Sequence, residues 1–296
     1  MESSLIIITL NRAPLLRQTL AGLGCQTRAL TEIVVVDNGP AAETEAVIAS
    51  FQSALPVRYV AEPGRGYGRA RNRGLREARG EVLYFLDDDC VAAPDWAETL
   101  WRTLDSGRAD LAGGARMPGP AGLAARLEYL STDGPVLSPR LAAGAAQHLS
   151  TSNLILRREV ADKTGAFDET LEMCEDRDFT ARARRLGFRL WFEPQARVTH
   201  HSSVRRTPQY LRKMRHYGKG TSQYFAHDRE ELLARVFPRG AVARLLLLPF
   251  LAVAGTGYLV ARNLPHNPDA LWLSPLLFVG QLWWHWGGFE AMRRPA

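Results

Sequence analysis

The sequence predicts an α/β fold with a mostly parallel central sheet, and three observations support this prediction. Short apolar runs such as Leu5–Leu10 and Ile33–Asp37 recur in the first half of the chain, and helical patterns separate them. These runs are apolar at successive positions, as strands are when helices cover both faces of a parallel sheet. The chain has 296 residues, which is enough for one large α/β domain or for two modest ones.

The first elements are predicted to form a strand–helix–strand unit. Between the first two apolar runs, leucines recur at three- and four-residue spacing, which predicts a helix. Val57–Ala61 predicts a third strand, and a loop rich in Gly and Arg follows it. A helix is predicted near Ala70–Ala78, and Val82–Leu86 is a fourth apolar run that ends in three aspartates.

The middle of the chain is less regular. Val91–Leu104 predicts a helix with Pro94 near its start, whereas Ala109–Gly144 is rich in Gly, Ala and Pro and predicts no clear element. The remaining predicted elements are the strand Asn153–Leu156, the helices Arg158–Thr164 and Asp178–Leu186, and the brief strands Arg189–Phe192 and Ala196–Thr199 around Pro194. The sequence contains no internal repeat.

Three carboxylates, Asp87–Asp89, directly follow the run Val82–Leu86. In open α/β sheets, ligand sites lie at the carboxyl ends of the strands. The two-residue period of a strand places Asp87 and Asp89 on one side, where their repulsion favours a bound cation. Mg²⁺ and Mn²⁺ prefer oxygen ligands and suit diphosphates. The triplet therefore predicts a divalent cation site, and an acidic turn that caps the next helix is the structural alternative.

A second acidic cluster, Glu175–Asp178, opens a predicted helix. Acidic residues complement the dipole at a helix N-terminus, which is a sufficient structural reason for the cluster. The functional alternative is that Asp176 is a general base, which must lie within hydrogen-bond reach of the hydroxyl it deprotonates. Arg177 or Arg182 would keep a neighbouring carboxylate charged.

The segment Gly64–Gly74 combines glycines, which permit close backbone approach, with arginines, which suit phosphate. It follows the third strand and not the first βα turn, so it is a poor dinucleotide fingerprint. Beside a cation at the aspartates, it predicts a diphosphate held between the cation and an arginine. His200 and His201 follow the last predicted strand, and either histidine is a candidate metal ligand or an ordinary loop residue.

Cysteine usage and the N-terminus exclude some classes. Cys25, Cys90 and Cys174 lie far apart without a CxxC or Cys/His spacing, so neither a disulfide framework nor a zinc site is predicted. The apolar stretch Leu5–Ile8 is short and has no basic segment before it, so no signal peptide is predicted. We expect the catalytic part to stay in the cytoplasm.

The net charge of +6 is concentrated in one segment. Residues 205–240 contain nine basic and three acidic residues, so the net positive charge of this segment equals that of the whole chain. Such a segment predicts an anionic partner, which lipid headgroups, nucleic acid or a phosphorylated substrate would each supply. Nucleic acid is the least favoured partner, because the segment lacks regular aromatic interleaving.

Two charge-free apolar runs, Leu245–Val260 and Leu271–Trp286, follow the basic segment, and a turn at Arg262–Asp269 joins them. They predict a hydrophobic hairpin, although each is short for a span of about 20 residues. Trp272, Trp283, Trp284 and Trp286 fit an interfacial aromatic belt. Basic residues at both ends of the hairpin place both ends on the cytoplasmic side. The hairpin is expected to span or embed in a membrane, and a buried helical pair is the alternative.

These segments together resemble the family 2 glycosyltransferases from Leu5 to His201. The segments that match the family's motifs are Thr9–Arg12 and Ile33–Gly39 for the nucleotide, Gly68–Gly80 before the DxD strand, Asp87–Asp89 for the DxD, Ser152–Arg158 and Gly165–Glu169 on the acceptor side, Glu175–Phe179 for the ED motif, and Pro194–His200 for the closing strand. Two positions depart from the pattern: Asn38 stands where an acidic residue is common, and Ser152 where glycine is common.

The resemblance implies a GT-A fold and a metal-dependent, inverting transferase that moves a sugar from a nucleoside-diphosphate donor to an acceptor hydroxyl or phosphate. It implies Asp176 as the base, and Asp89 and His200 as ligands of Mn²⁺ or Mg²⁺. The residues implied for the nucleotide sugar are Thr9, Asn11, Arg12, Asp37, Arg71, Asp87 and Asp88, and those implied for the acceptor side are Asn153 and Glu175.

The expected organisation is a transferase domain at 1–204, an amphipathic basic segment at 205–240 and the hairpin at 241–296. A tail of this kind favours membrane lipids as partners and a lipid-linked or cell-envelope glycan acceptor. The alternative activity is that of another GT-A-like enzyme such as a nucleotidyltransferase, which would use the aspartates and Arg71 without needing Asp176. A membrane scaffold without activity is less favoured, because the carboxylates of the motifs are intact.

Overall fold

The protein is described here by a computed structural model, which describes residues 1–120, 122–228, 238 and 240–293. The chain divides into two compact units. Met1–Met117 and Pro139–His201 form the first unit, and Pro118–Ser138 and Ser202–Ala296 form the second. Part of the predicted basic segment, with Arg229, Arg235 and Arg239, lies outside the described residues.

A nine-stranded sheet is the centre of the first unit. Its strands are β1 Ser3–Thr9, β2 Glu32–Asp37, β3 Val57–Ala61, β4 Val82–Asp87, β5 Cys90–Ala92, β6 Leu111–Pro118, β7 Gly144–Ala145, β8 Asn153–Arg157 and β9 Leu190–His200. Their order is β3-β2-β1-β4-β8-β6-β9-β5, and β7 pairs with β9. The first four strands pair in parallel, and β8 joins β4 in the antiparallel direction. The predicted α/β fold is confirmed.

Helices surround this sheet and also build the second unit. The helices are α1 Ala13–Leu23, α2 Ala42–Ala49, α3 Tyr67–Glu77, α4 Trp96–Asp105, α5 Leu123–Ser131, α6 Arg158–Thr164, α7 Glu175–Arg185, α8 Thr207–His227, α9 Ala241–Asn263, α10 Asp269–Trp272 and α11 Ser274–Arg293. Of these, α5 and α8 to α11 belong to the second unit.

Alternate residues of the central strands face two separate cores. Leu5 and Ile7 of β1 pack in a cluster with α1, α2 and α4, whereas Ile6 packs with α6 and α7 on the other face. The strands are therefore covered on both sides, which is why their sequences are continuously apolar. Burial of these strands leaves only their ends free for polar chemistry.

The structure corrects three local predictions. The segment predicted as a helix from Val91 begins instead as strand β5, and helix α4 starts at Trp96. The two brief strands predicted around Pro194 are one continuous strand, β9. Strand β6 and helix α5 form within Ala109–Gly144, where no clear element was predicted.

The second unit brings α8, α9 and α11 together. Gly218 of α8 lies against the backbone of Trp284 in α11, and Gly287 of α11 lies against the backbone of Arg215 in α8, so these helices approach closely. The first predicted apolar run lies within α9, and the second is divided between α10 and α11. Among the described residues, α9 alone is long and apolar enough to cross a membrane.

Candidate active site

Three parallel strands end at one edge of the sheet and bring the predicted polar residues to it. In the register of β1 with β2, Thr9 lies opposite Asp37, and in the register of β1 with β4, Ile8 lies opposite Asp87. Asp88 and the rest of the triplet follow immediately. The carboxyl ends of parallel strands are where α/β proteins place ligands.

Asp88 is held by the neighbouring strand and the start of α1. The Thr9 hydroxyl donates a hydrogen bond of 2.6 Å to Asp88 Oδ2, and Arg12 Nη1 donates one of 3.2 Å to Asp88 Oδ1. Burial raises the pKa of Asp88 to about 7, although the charge of Arg12 opposes this shift. In this structure Thr9 and Arg12 therefore support the aspartate triplet.

Asp89 lies among cationic groups. Arg12 Nη1 donates a 3.0 Å hydrogen bond to Asp89 Oδ2, and His200 Nε2 lies 3.5 Å from the same oxygen. Burial alone would raise the pKa of Asp89, but the hydrogen bond and charge of His200, with Arg116 and Arg12, hold it well below its usual value. This carboxylate stays ionised, as a metal ligand must.

The donor atoms around Asp89 fit a divalent cation. Ligand atoms of Asp87, Asp89 and Cys90 all lie within 4.8 Å of one another. The two carboxylates and the imidazole of His200 suit Mg²⁺ or Mn²⁺, whereas a buried thiol is a soft ligand and suits those ions poorly. The structure brings His200 to the site by pairing it with Cys90 across β9 and β5, while His201 uses its backbone N–H to donate to the Asp89 carbonyl.

Arg71 links the aspartate triplet to the acidic cluster of α7. Its Nη1 is paired with Glu175 Oε1, and its Nη2 lies 3.6 Å from Asp87 Oδ1. Burial raises the pKa of Glu175 to about 7, although the Arg71 charge acts against the shift. Both predicted carboxylate clusters thus converge on one buried guanidinium.

Asp176 is the half-buried carboxylate beside this pair. It accepts hydrogen bonds from the backbone N–H of Arg177 at 2.7 Å and of Thr151 at 3.4 Å. Asp178, by contrast, is buried and accepts a 2.8 Å hydrogen bond from Arg182, whose other nitrogens donate to backbone carbonyls. Of these two aspartates, Asp176 is the one available to a substrate.

Asp37 and Asn11 lie at the nucleotide end predicted from the sequence. Asp37 is buried, and its Oδ2 accepts hydrogen bonds from the Ala41 backbone N–H at 3.0 Å and from the Tyr59 hydroxyl at 3.4 Å. Asn11 is exposed and has a φ of 54°, in the left-handed region that asparagine tolerates. Asn38 is buried and donates to the Gly66 carbonyl, which ties the second strand to the Gly/Arg loop.

Asn153 has a structural position in the sheet. Its side-chain amide donates to the carbonyls of Ala115 at 3.0 Å and Ala196 at 2.8 Å, and its oxygen accepts from Trp96 Nε1 at 2.7 Å. These bonds join β8 to β6 and β9, which follow it in the sheet, and to α4. The acceptor contact predicted for Asn153 stays a prediction, and it requires an exchange of these partners.

Comparison with known proteins agrees with this geometry. The sequence model described as Glycosyl transferase family 2 matches residues 4–165. Glycosyltransferase AglE of Haloferax volcanii is 30% identical over 254 residues, which cover 84% of this chain and 81% of that protein. This chain belongs to glycosyl transferase family 2. The resemblance noted in the motifs is therefore confirmed.

Two further proteins place the family 2 chain among known sequences and folds. The succinoglycan biosynthesis protein ExoM of Rhizobium meliloti is 31% identical over 199 residues, which cover 63% of each chain. The mannosyltransferase PcManGT of Pyrobaculum calidifontis, solved with GDP-Man and Mn²⁺, superposes with a TM-score of 0.61 at 20% identity. The match covers 94% of this chain and 85% of that one, and it confirms the GT-A fold.

Arg116 was missed by the sequence analysis of this family 2 enzyme. It lies on β6, in the stretch that predicted no element; its charge opposes the rise that burial causes in the pKa of Asp87, and it helps to hold the pKa of Asp89 below its usual value. Its Nη1 also lies 3.4 Å from the Ser152 hydroxyl. No motif marked it, because only the pairing of β6 brings this strand to the aspartates.

We expect Arg116→Ala to weaken the binding of a nucleoside diphosphate about tenfold or more, because a charged hydrogen bond is worth about 1.5–3 kcal/mol. Arg116→Lys should restore part of the affinity, since lysine keeps the charge without the planar fork. Isothermal titration measures both variants. Arg108→Ala is the matched control. This substitution also removes one positive charge from the first unit, but Arg108 stacks on Trp191 and not beside the aspartates. Equal affinities in all three variants would contradict a role for Arg116.

Proposed function

We propose that this family 2 enzyme is an inverting glycosyltransferase that moves a sugar from a nucleoside-diphosphate donor to an acceptor hydroxyl or phosphate. The observation that carries the proposal is the convergence of Asp87, Asp89, Arg71 and the Glu175–Asp176 pair at one edge of the sheet. Such a transfer requires a site for a divalent metal ion, a positively charged side chain that binds phosphate, and a carboxylate that acts as a base.

The nucleotide is assigned to the ends of β1 and β2. Asp37 Oδ1 has no hydrogen-bond partner among the described residues, so this buried oxygen is suited to accept from an N–H of the nucleobase. Asn11 and Arg12 follow β1 at the same edge and would contact the ribose and the phosphates. Thr9 and Asp88 would act indirectly, because their mutual hydrogen bond fixes the loop that carries Asp89.

The diphosphate is assigned to the region between Asp89 and Arg71. Asp87, Asp89 and His200 would hold Mn²⁺ or Mg²⁺, and the ion would neutralise the diphosphate as it leaves. Arg71 is already charged and buried, and it is fixed by Glu175, so it needs little reorganisation to stabilise the developing negative charge.

Asp176 is assigned as the base that takes the proton of the acceptor. Its backbone hydrogen bonds orient the carboxylate, and its partial exposure leaves it accessible to an incoming hydroxyl. Attack on the side of the sugar opposite to the diphosphate inverts the anomeric centre in one displacement. Glu175, next to Asp176 on the acceptor side, would hold Arg71 in position for the diphosphate, which gives Glu175 an indirect part in the reaction.

The acceptor is assigned to a lipid-linked or cell-envelope glycan, and the enzyme to the cytoplasmic side of a membrane. Support comes from the apolar helix α9 and from ExoM, a relative named for succinoglycan biosynthesis. In this assignment residues 1–204 carry out the transfer, while residues 205–240 and 241–296 hold the enzyme at the membrane.

A thermal-shift panel tests the donor class. UDP or GDP with Mn²⁺ should raise Tm by roughly 5 °C at about 100 times Kd, since a ligand that binds only the folded state stabilises it by about 2.7 kcal/mol. EDTA should remove the shift, and the nucleoside alone is the control. Product analysis should then show release of a nucleoside diphosphate. Release of pyrophosphate from a nucleoside triphosphate would contradict the proposal and indicate a nucleotidyltransferase.

A further inference from the structure

Helix α9 has two faces of different chemistry. Its buried residues are the polar Arg244, Thr256 and Asn263 together with Ala252 and Leu259, and Asn263 donates to the carbonyls of Leu130 and Leu259 at 2.9 Å. The opposite face carries large apolar side chains that are mostly exposed, namely Val242 at 72%, Leu246 at 70%, Phe250 at 71% and Val253 at 61%. A helix that is polar on its packed face and apolar outside has its amphipathicity reversed relative to a helix on a water-facing surface.

Helix α11 links the middle of α9 to the part of α8 that carries two charged side chains. Gly255, near the centre of α9, lies against Gln281 of α11, and the adjacent Gly280 lies against the Tyr210 hydroxyl of α8. Arg212 and Lys213 follow within one turn of α8. If α9 crossed a bilayer along its length, these two cations would stand near the bilayer centre, where ionisable groups are costly.

Lys213 and Arg212 of α8 have different surroundings. Lys213 is paired with the buried carboxylate of Glu128 in α5, and Arg212 is exposed. An exposed arginine at mid-membrane depth would need hydrating water around it. The packing of α8, α9 and α11 therefore opposes a transverse orientation, although α9 alone has the length and composition of a span.

The rest of the second unit fits a membrane interface. Exposed tryptophans accompany α9, with Trp272 at 79% and Trp283 and Trp286 at 39% each. Tryptophan prefers the headgroup level, where its ring and its N–H are both accommodated. The described residues of this unit include ten basic and five acidic side chains, so the unit carries a positive charge that complements anionic headgroups.

We propose that α9 lies in the plane of an anionic membrane, with the face Val242, Leu246, Phe250 and Val253 inserted among the lipids, and that it does not span the bilayer. This face carries the binding, and the surrounding cations favour anionic lipid over neutral lipid. This contact rests on the membrane role proposed above for residues 241–296, and its residues lie in the second unit, whereas the residues assigned to the donor lie in the first.

Co-sedimentation of the full chain with vesicles measures the binding. Vesicles that contain phosphatidylglycerol should bind the protein more tightly than phosphatidylcholine vesicles, and salt should reduce the difference. The double variant Leu246→Ser, Phe250→Ser should weaken binding at least about tenfold, since it removes two large apolar groups from the lipid. Leu186→Ser is the matched control, because Leu186 is 58% exposed in the first unit and should leave binding unchanged.

Depth measurement separates the in-plane orientation from a span. Single cysteines replace Val242, Leu246, Phe250 and Val253 in turn, in a Cys25→Ser background that removes the exposed thiol, and each carries a nitroxide. An in-plane helix gives four similar, shallow depths. A spanning helix gives depths that change along it, because eleven residues of α-helix rise about 16 Å.

Three results would overturn the in-plane membrane contact. The first is a depth that increases steadily towards Val253, which indicates a span. The second is unchanged vesicle binding by the double variant. If its nucleotide-induced thermal shift is also intact, the variant is folded and binds vesicles without this face. The third is a protein that does not bind vesicles and forms a dimer without detergent, while the double variant is a monomer. This result would assign the face to a second copy of the chain.

Discussion

Asp176→Asn is expected to lower kcat by about 10²–10⁴-fold, the range that general bases contribute, while the affinity for the donor changes little. Asparagine keeps one acceptor oxygen, which can retain the 2.7 Å hydrogen bond from the Arg177 N–H, and it loses the longer 3.4 Å bond from the Thr151 N–H, so the side chain should stay close to its place. It removes the only property a base requires, which is the capacity to bind a proton. Steady-state kinetics with titration of the donor separates kcat from donor binding.

Two variants on the same helix sharpen this test. Asp178→Asn should lower Tm with a smaller effect on kcat, because Asp178 is buried in its ion pair with Arg182 and does not face substrate. Glu175→Gln should affect donor affinity as well as kcat, because it frees Arg71 from its partner. A loss of less than about tenfold in Asp176→Asn, together with a larger loss in Glu175→Gln, would move the base to Glu175.

The strands that flank the site were predictable because burial dictates their composition. β1, β2 and β4 are buried on both faces along most of their length, so residues such as Ile6, Ile7 and Leu83 must all be apolar, whichever face they point to. The triplet at the end of β4 was then conspicuous, because carboxylates interrupt an apolar run only where the chain leaves the core. The location of the site followed from these two facts.

Strand β6 was not predictable from the sequence, because its glycines are required by close contacts with other parts of the fold. A side chain at Gly114 would collide with the Ala196 carbonyl of β9, and one at Gly113 would press on Leu149. These glycines allow close packing in the sheet but weaken the strand pattern in the sequence. β5 is only three residues long and depends on its pairing with β9, so its own residues do not specify it.

Strand β9 passes through Pro194 because of how its two halves pair. Trp191 and Phe192 pair with β7, and Val198–His200 pair with β5, so Pro194 falls between the two paired stretches. Proline lacks an N–H and is tolerated where no ladder bond is needed. A sequence without its partners gives no sign of this gap, and the prediction therefore divided the strand.

The roles of individual site residues depended on contacts that the motifs do not contain. Thr9 and Arg12 belong to a nucleotide motif, yet here they hold Asp88, and Asn153 of the acceptor segment is bonded to strands β6 and β9 and to helix α4. Arg116 carries no motif and lies beside the aspartates. The motifs predicted where the candidate site lies, whereas the contacts that hold these side chains became apparent only from the hydrogen bonds.

Asp89→Asn is expected to abolish the cation-dependent part of nucleotide binding. His200, Arg116 and Arg12 hold the pKa of Asp89 well below its usual value against the effect of burial, so this carboxylate offers a full negative charge at neutral pH. Asparagine keeps the shape of the side chain and loses that charge. In the thermal-shift assay, Mn²⁺ should no longer increase the Tm gained from UDP or GDP, and activity should fall to the level of the wild-type enzyme in EDTA.

Asp88→Asn is the matched control for this effect, because it is the adjacent carboxylate and differs only in its surroundings. Burial raises the pKa of Asp88 to about 7, so asparagine resembles its protonated form, which is already well populated at neutral pH. Asparagine also retains an acceptor for the Thr9 hydroxyl or for Arg12. The cation-dependent Tm gain should therefore persist in Asp88→Asn and vanish in Asp89→Asn. The opposite ranking would place the cation on Asp88, and full activity of the wild-type enzyme in excess EDTA would remove the cation from the reaction.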